Sequence, residues 1–199
     1  MGSRGNVKGS VLQSRLEFVL RQRGAEGLAR VLARLPAPER KAISGLILPF
    51  AWYPFETNER LDLAIAEEMG RGDSIFRELG AASADDNLTS ASQLHYIREH
   101  NPHALLKQAS GIYSVYYDTG RREYERATET RAVLRTHDSL SFSVADCLTV
   151  VGWHVRAIEM CGGRNVRDSQ PQCRALGGAC CEYVFEWAEG APSSPLAPS

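Results

Sequence analysis

Apolar positions recur every three to four residues through the first half of the chain. In VLQSRLEFVLRQRG (11–24), Leu12, Leu16, Val19 and Leu20 form one stripe, and Gly24 ends it. The period continues in LARVLARLP (28–36), closed by Pro36, and in PERKAISGLILPF (38–50), opened by Pro38 and closed by Pro49. ERLDLAIAEEMGRG (59–72) puts Leu61, Ile65 and Met69 on one face ahead of two glycines. Asp73 is placed to cap the next helix, DSIFRELGAASADDNL, whose Ile75, Phe76 and Leu79 point inward. Short helices are predicted near 90–98 and over NPHALLKQAS (101–110), with Asn101 as cap and Pro102 in the first turn.

The pattern changes after residue 110. GIYSVYYDTG (111–120) is aromatic and β-branched and closes on a turn signal, which predicts a strand over 111–119. YERATETRAVLRTH (124–137) reads as its half-exposed partner. SFSVADCLTVVGWHVRAIEMCGG (141–163) returns to the helical period as one long helix stopped by Gly162 and Gly163. RNVRDSQPQCRAL and GACCEYVFEW then form a hairpin turning near Gly177 and Gly178, with strands over 164–173 and 180–187. On the last strand Tyr183 and Phe185 share one face, with Val184 on the other. The expected class is α+β: N-terminal helices packed with a small four-stranded antiparallel sheet and one long helix. One globular domain would comprise a helical part (1–110), a ββαββ core (111–188) and a Pro- and Ser-rich disordered tail (189–199).

Composition narrows the function classes. With 43% hydrophobic residues the chain can bury a core, and its net charge of −1 supplies no basic face for nucleic acid or an anionic membrane. The longest apolar stretches, such as LILPFAW (46–52), are too short to span a bilayer. No run of signal-peptide length opens the sequence, so the expected location is cytoplasmic, where the five cysteines would be thiols or metal ligands.

Three of those cysteines are candidates for one site. Cys173 and Cys181 flank the predicted hairpin turn and can face each other across two strands, and Cys147 lies on the helix above. Metal ligation, buried packing and redox chemistry all fit this placement. Cys180 alternates to the opposite strand face, and Cys161 sits at a helix end.

Residues 170–183 read Gln-x-x-Cys-x-x-x-Gly-x-x-x-Cys-x-Tyr. This resembles the signature of the V4R (4-vinyl reductase) domain superfamily, and the order of elements over about 110–187 is similar too. Its relatives include haem-nitric-oxide sensor domains and Bet3-type subunits of vesicle-tethering complexes. Phrases such as AWYPFETNERLDLAI, YYDTGRREYE and CLTVVGWHVRAIEMCGG also resemble a paralogous family of myxobacterial proteins over about 5–188. The V4R resemblance implies a structural zinc held by Cys147, Cys173 and Cys181, with Gln170 at the position the superfamily fills with glutamate. A neutral amide is a poorer zinc ligand than a carboxylate. Water, Asp168 or Glu182 could equally serve as fourth ligand. The haem-sensor relatives use an axial histidine and a Tyr-x-Ser-x-Arg motif, and because this motif is absent the resemblance implies a domain without haem.

The remaining signals are weaker. Phe76, Tyr96, Tyr113, Tyr116 and Trp153 are candidates to line an apolar ligand pocket between helices and sheet, and a plain core would use them as well. His95, His100 and His103 read as solvated loop residues, and YYDTGRREYE as an exposed hairpin tip. His154 follows Trp153 on the long helix, either at a cavity or as a structural histidine. No nucleophile–base pair or phosphate loop is recognisable. The expected function is therefore a non-enzymatic domain that senses a small apolar or aromatic ligand or relays a signal. The alternative is a Bet3-like interaction scaffold without a small ligand. With no room for an ATPase or DNA-binding module, output would pass through an unknown protein partner or a homodimer.

Overall fold

The structure, a computed structural model, describes residues 4–88, 97 and 100–188. The helix expected near 90–98 and the tail 189–199 fall largely or wholly outside these residues. The first helix, α1 (Gly9–Arg34), breaks at Gly24, whose φ of 66° and ψ of −171° interrupt the helical run. α2 (Ala37–Ile43), α3 (Phe55–Met69) and α4 (Ser74–Leu88) follow. Their apolar stripes meet in one core that includes Leu12, Val19, Leu61, Ile65, Ile75 and Leu79. A buried ion pair crosses it: Arg15 of α1 lies 2.9 Å from Asp62 of α3 and also donates to Ser83 of α4. A two-stranded ribbon, β1 (Asn6–Lys8) with β2 (Trp52–Pro54), ties the chain's start to the entry of α3. Strands of three residues are too short to show a period, which is why the sequence pattern does not reveal them.

α5 (Pro102–Leu106) is capped as predicted, the Asn101 side chain accepting from the backbone N–H groups of His103 and Ala104. The aromatic segment that follows is not a strand. Residues Ala109–Tyr116 form α6, and the first long strand begins at Arg121. Ala109, Tyr113 and, in part, Ile112, Tyr116 and Tyr117 turn inward. That spacing of three and four is helical, and packing on this face outweighs the β preference of its tyrosines and valine. Segment 124–137 is likewise not one strand. It bends at 129–130, so β3 (Arg121–Thr128) and β4 (Arg131–His137) make the first hairpin.

α7 (Val144–Met160) is one continuous helix, opened by the Ser143 hydroxyl accepting from the Asp146 N–H. β5 (Arg164–Gln172) and β6 (Cys181–Ala188) complete an antiparallel sheet of order β3-β4-β6-β5. The turn between them passes through Gly177 at φ 89°, a conformation glycine adopts without strain. α7 lies on the sheet, burying Val150, Val151 and Ile158 against Leu134, Tyr183, Phe185 and Trp187. The class is thus α+β, with the helical half joined to the sheet half through α4 and α7. No described helix is long and apolar enough to cross a membrane.

The α4–α7 contact is set by two glycines. A Cβ on Gly80 would lie 2.0 Å from the Thr149 carbonyl oxygen, and one on Gly152 would lie 2.1 Å from that of Arg77. The backbones touch because neither residue has a side chain. Gly152→Ala should therefore cost about 1–3 kcal/mol by overpacking. Gly111→Ala, on the exposed face of α6 with nothing within 4 Å, should stabilise by about 0.5–1 kcal/mol. Urea unfolding of both variants checks this, and equal stability would refute the contact.

Candidate ligand cavity and thiol cluster

A cavity opens where α1, α4, α6, α7 and β3 converge, with about 570 Å³ of empty space counting its open mouth. Apolar walls come from Val11, Ile112, Tyr116, Val150 and Trp153. Tyr113, Tyr116 and Trp153, expected from the sequence, line it. Phe76 does not; it packs in the core of α1, α3 and α4. Tyr96 lies outside the described residues.

Two arginines belong to the wall, in different electrostatic settings. Arg15 is neutralised by Asp62, whose carboxyl burial pushes upward although Arg15 pulls it down. Arg122, only 6% exposed, donates from Nε to Thr136 Oγ1 at 3.0 Å and forms no ion pair with a described carboxylate. Its guanidinium carbon sits 4.7 Å from the Tyr113 ring centroid and 5.8 Å from that of Tyr183. Arg122 therefore does not belong to an exposed tip, as YYDTGRREYE had implied. The missed signal is period two: Arg122 and Tyr124 share a strand face, and an aromatic on that face marks it as the inner one. Nearby, Tyr117 donates to buried Asp146 at 2.8 Å, and desolvation raises that carboxyl to about 7.

His154 also lines the cavity. Its Nδ1 donates to the Val150 carbonyl at 2.8 Å, and its ring stacks on Phe185 with centroids 5.5 Å apart. Nε2 is thereby left as the acceptor nitrogen. Burial, helped by the charge of Arg122, lowers its pKa to about 3, so the ring is neutral. His103 is not a solvated loop residue: it is buried, bonded to Tyr124 and to the Glu129 carbonyl, and packed edge-on against Trp187.

Behind the cavity, on the α7–sheet seam, three thiols converge. Cys147 Sγ lies 3.6 Å from both Cys173 Sγ and Cys181 Sγ, and the three sulfurs lie within 4.8 Å of one another. The Arg174 N–H donates to Cys181 Sγ, and the Tyr183 hydroxyl to Cys147 Sγ. Hydrogen bonding to Cys147 lowers the Cys181 thiol to about 6, and the same bond together with burial drives Cys147 upward. None of the five cysteines forms a disulfide. Cys180 points away, its nearest polar partner being Gln172 Oε1 at 3.9 Å, and Cys161 is buried at the end of α7. Asp168 and Glu182, weighed as fourth ligands, are held by Arg77 and Arg135. The Gln170 amide nitrogen is buried without a described hydrogen-bond partner.

No protein-family model matches the sequence, and no curated protein matches it. Solved structures do match the fold. An H-NOX protein from K. algicida in its Fe(II) unliganded form superposes with a TM-score of 0.71 at 12% identity, over 94% of this chain and 100% of that one. An H-NOX protein from S. oneidensis in the Fe(II)NO ligation state gives 0.71 at 12%, over 92% and 99%. A further match, described in terms of haem distortion in the H-NOX family, gives 0.68 at 10%, over 96% and 100%. At this identity the likeness shows the fold.

These matches overturn the expectation of a domain without haem, since the H-NOX proteins on which the chain superposes are iron- and haem-bearing. A missing motif excludes one way of holding the group, not the group. The donor set on the cavity wall fits it in kind: His154 offers a neutral imidazole with Nε2 free for a metal, and Arg122 offers a cation for a carboxylate.

The neutral, buried state of His154 has a pH consequence. Its folded pKa of about 3 lies below the ordinary 6.5, so the unfolded chain binds the extra proton. The stability it contributes is whole above pH 6.5 and is lost as pH falls toward 3. His154→Gln should flatten the fall in unfolding free energy between pH 7 and pH 5 by about 2 kcal/mol relative to wild type. Urea titrations at the two pH values measure the difference, and parallel slopes would show that the ring is not buried neutral.

Proposed function

We propose that this chain is a non-enzymatic sensor domain whose cavity takes a small apolar or aromatic molecule. The carrying observation is the aromatic-walled cavity at the junction of helices and sheet. An occupant there touches α1, α4, α6, α7 and β3 at once, so its binding can bias how the helices sit on the sheet. The fold it shares with H-NOX proteins supports the reading. The polar lining favours binding over catalysis. Ser14 and Ser83 bond each other at 2.7 Å, His154 is bonded to its own helix, and no described hydroxyl is hydrogen-bonded to that imidazole. For haem as occupant, His154 Nε2 would hold the iron and Arg122 would face a carboxylate. The bound group would supply an iron centre able to take a gas ligand. Occupancy would be passed on through a protein partner or a homodimer.

On the sheet side we propose that Cys147, Cys173 and Cys181 hold zinc as a clamp between α7 and the β5–β6 hairpin, with Gln170 at its rim as the V4R resemblance implies. Tetrahedral ligation at about 2.3 Å sets sulfurs about 3.8 Å apart. The observed 3.6 Å separations are close to that spacing. Cysteines held as thiols and not as disulfides are in keeping with a reducing, cytoplasmic setting.

A second reading, the interaction scaffold, draws on one surface feature. Between α2 and β2, Leu46, Leu48 and Phe50 are 85%, 54% and 87% exposed, and Trp52 follows.

Two measurements test these proposals. Haemin and a panel of one- and two-ring aromatics should quench the Trp153 contribution to intrinsic fluorescence, a change absent in Trp153→Phe. Saturable binding without any Trp153 response would place the ligand elsewhere, and no binding at all would favour the scaffold. For the clamp, the purified chain should carry one zinc. Cys173→Ser should lose the metal and about 2 kcal/mol or more of stability, whereas Cys180→Ser should keep both. Sulfurs that converge in a metal-free, equally stable protein would reduce the clamp to packing.

A further inference from the structure

We propose that the cavity is built for an anionic ligand: a small aromatic or apolar carboxylate whose carboxylate pairs with Arg122. This rests on the cavity reading above and names its ligand class. Arg122 is buried with no described carboxylate bonded to its guanidinium, although the charge of buried Asp146 lies within its electrostatic reach. An arginine cannot shed its proton, and withdrawing an ion from water is costly unless an opposite charge offsets it. Arg15, on the same wall, shows how this chain ordinarily meets that cost: Asp62 sits 2.9 Å away. Arg122 is nearly as deeply buried, yet no described carboxylate pairs with it. Asp146 accepts from Tyr117 and makes no ion pair with it.

The tyrosine faces against Arg122 and its single bond to Thr136 hold the guanidinium in place. Thr136 engages only Nε, so no described partner takes the N–H groups at the outer end of the fork, the edge that receives a carboxylate in bidentate fashion. Arg122 also lies on β3, an edge strand, and an inward charge there can deter strand pairing. That role would be met at any inward position and does not require a place on a cavity wall. The same cavity is lined by Ile112, Tyr116, Val150 and Trp153, which offer a surface for an aromatic ring. A site with one unpaired cation and an aromatic wall selects molecules that carry both features, and a neutral analogue leaves the cation unsatisfied.

The test compares isosteric pairs on the full chain by calorimetry: 2-naphthoate against 2-naphthamide, and benzoate against benzamide. Wild type should bind each carboxylate about 10- to 100-fold more tightly than its amide, the worth of one charge-assisted contact. Arg122→Met should erase that preference while leaving the amides' affinity within about threefold, and Arg122→Lys should keep part of it. The wild-type comparison decides by itself if the Met variant does not fold. Equal affinity for acid and amide in wild type would overturn the anionic class and leave the cavity reading standing. Binding of neither member would overturn both. Preference for the acid that survives Arg122→Met would assign the anion to another residue and refute the role given to Arg122.

Discussion

The architecture depends on how closely α4 can approach α7. Gly80 and Gly152 let the two backbones meet with a carbonyl oxygen about 2 Å from where a Cβ would stand on either side. That contact is the main joint between the halves. α4 belongs to the helical core with α1 and α3, and α7 belongs to the sheet. Fixing one helix on the other fixes the halves, and the cavity is the space that remains beside the joint, walled on the near side by residues of both helices. Because the joint is backbone on backbone, it cannot yield by changing a rotamer, and an occupant must move α1, α6 or β3 instead.

Two further ties constrain the same joint from opposite sides. In the helical half, Arg15 links three helices through Asp62 and Ser83, a buried pair whose position is specified because a shifted partner would leave a bare charge. In the sheet half, the three sulfurs bring α7 against the β5–β6 turn. The cavity lies between these ties, so its walls are held from both ends while its mouth stays open. Its polar groups differ in how far they are committed. The hydroxyls of Ser14 and Ser83 bond each other, Tyr117 is spent on Asp146, and His154 is anchored through one nitrogen. Arg122 retains donors, and this distinguishes the wall from an ordinary core.

Much of the fold was legible without coordinates. Apolar residues at helical spacing predicted α1, α3, α4 and α7, because each buries a single stripe and the stripe recurs along the chain. The glycine stop at Gly24, the Asn101 cap and the turn at Gly177 were legible for local reasons: each satisfies a backbone requirement with its own side chain or its lack of one. The convergence of Cys147, Cys173 and Cys181 could be foreseen because hairpin register and helix placement are themselves readable.

What the sequence could not decide is what depends on a neighbour distant along the chain. GIYSVYY has the composition of a strand, and only packing of Tyr113 and Ile112 against other elements makes it a helix. β1 and β2 exist because residues 6–8 and 52–54 meet, which no local pattern records. The burial of Arg122 is the sharpest case. Its neighbours in GRREYE are charged, so local polarity reads as surface, and its face is turned inward by sheet pairing with Thr136 and by the helix laid over it. The sequence by itself determined α1, α3, α4 and α7, the Asn101 cap and the thiol spacing, each set by interactions within a few residues or one hairpin. The tertiary structure alone decided which charge lost its water and which space stayed open, because desolvation and cavity volume belong to the assembled surfaces and to no single segment.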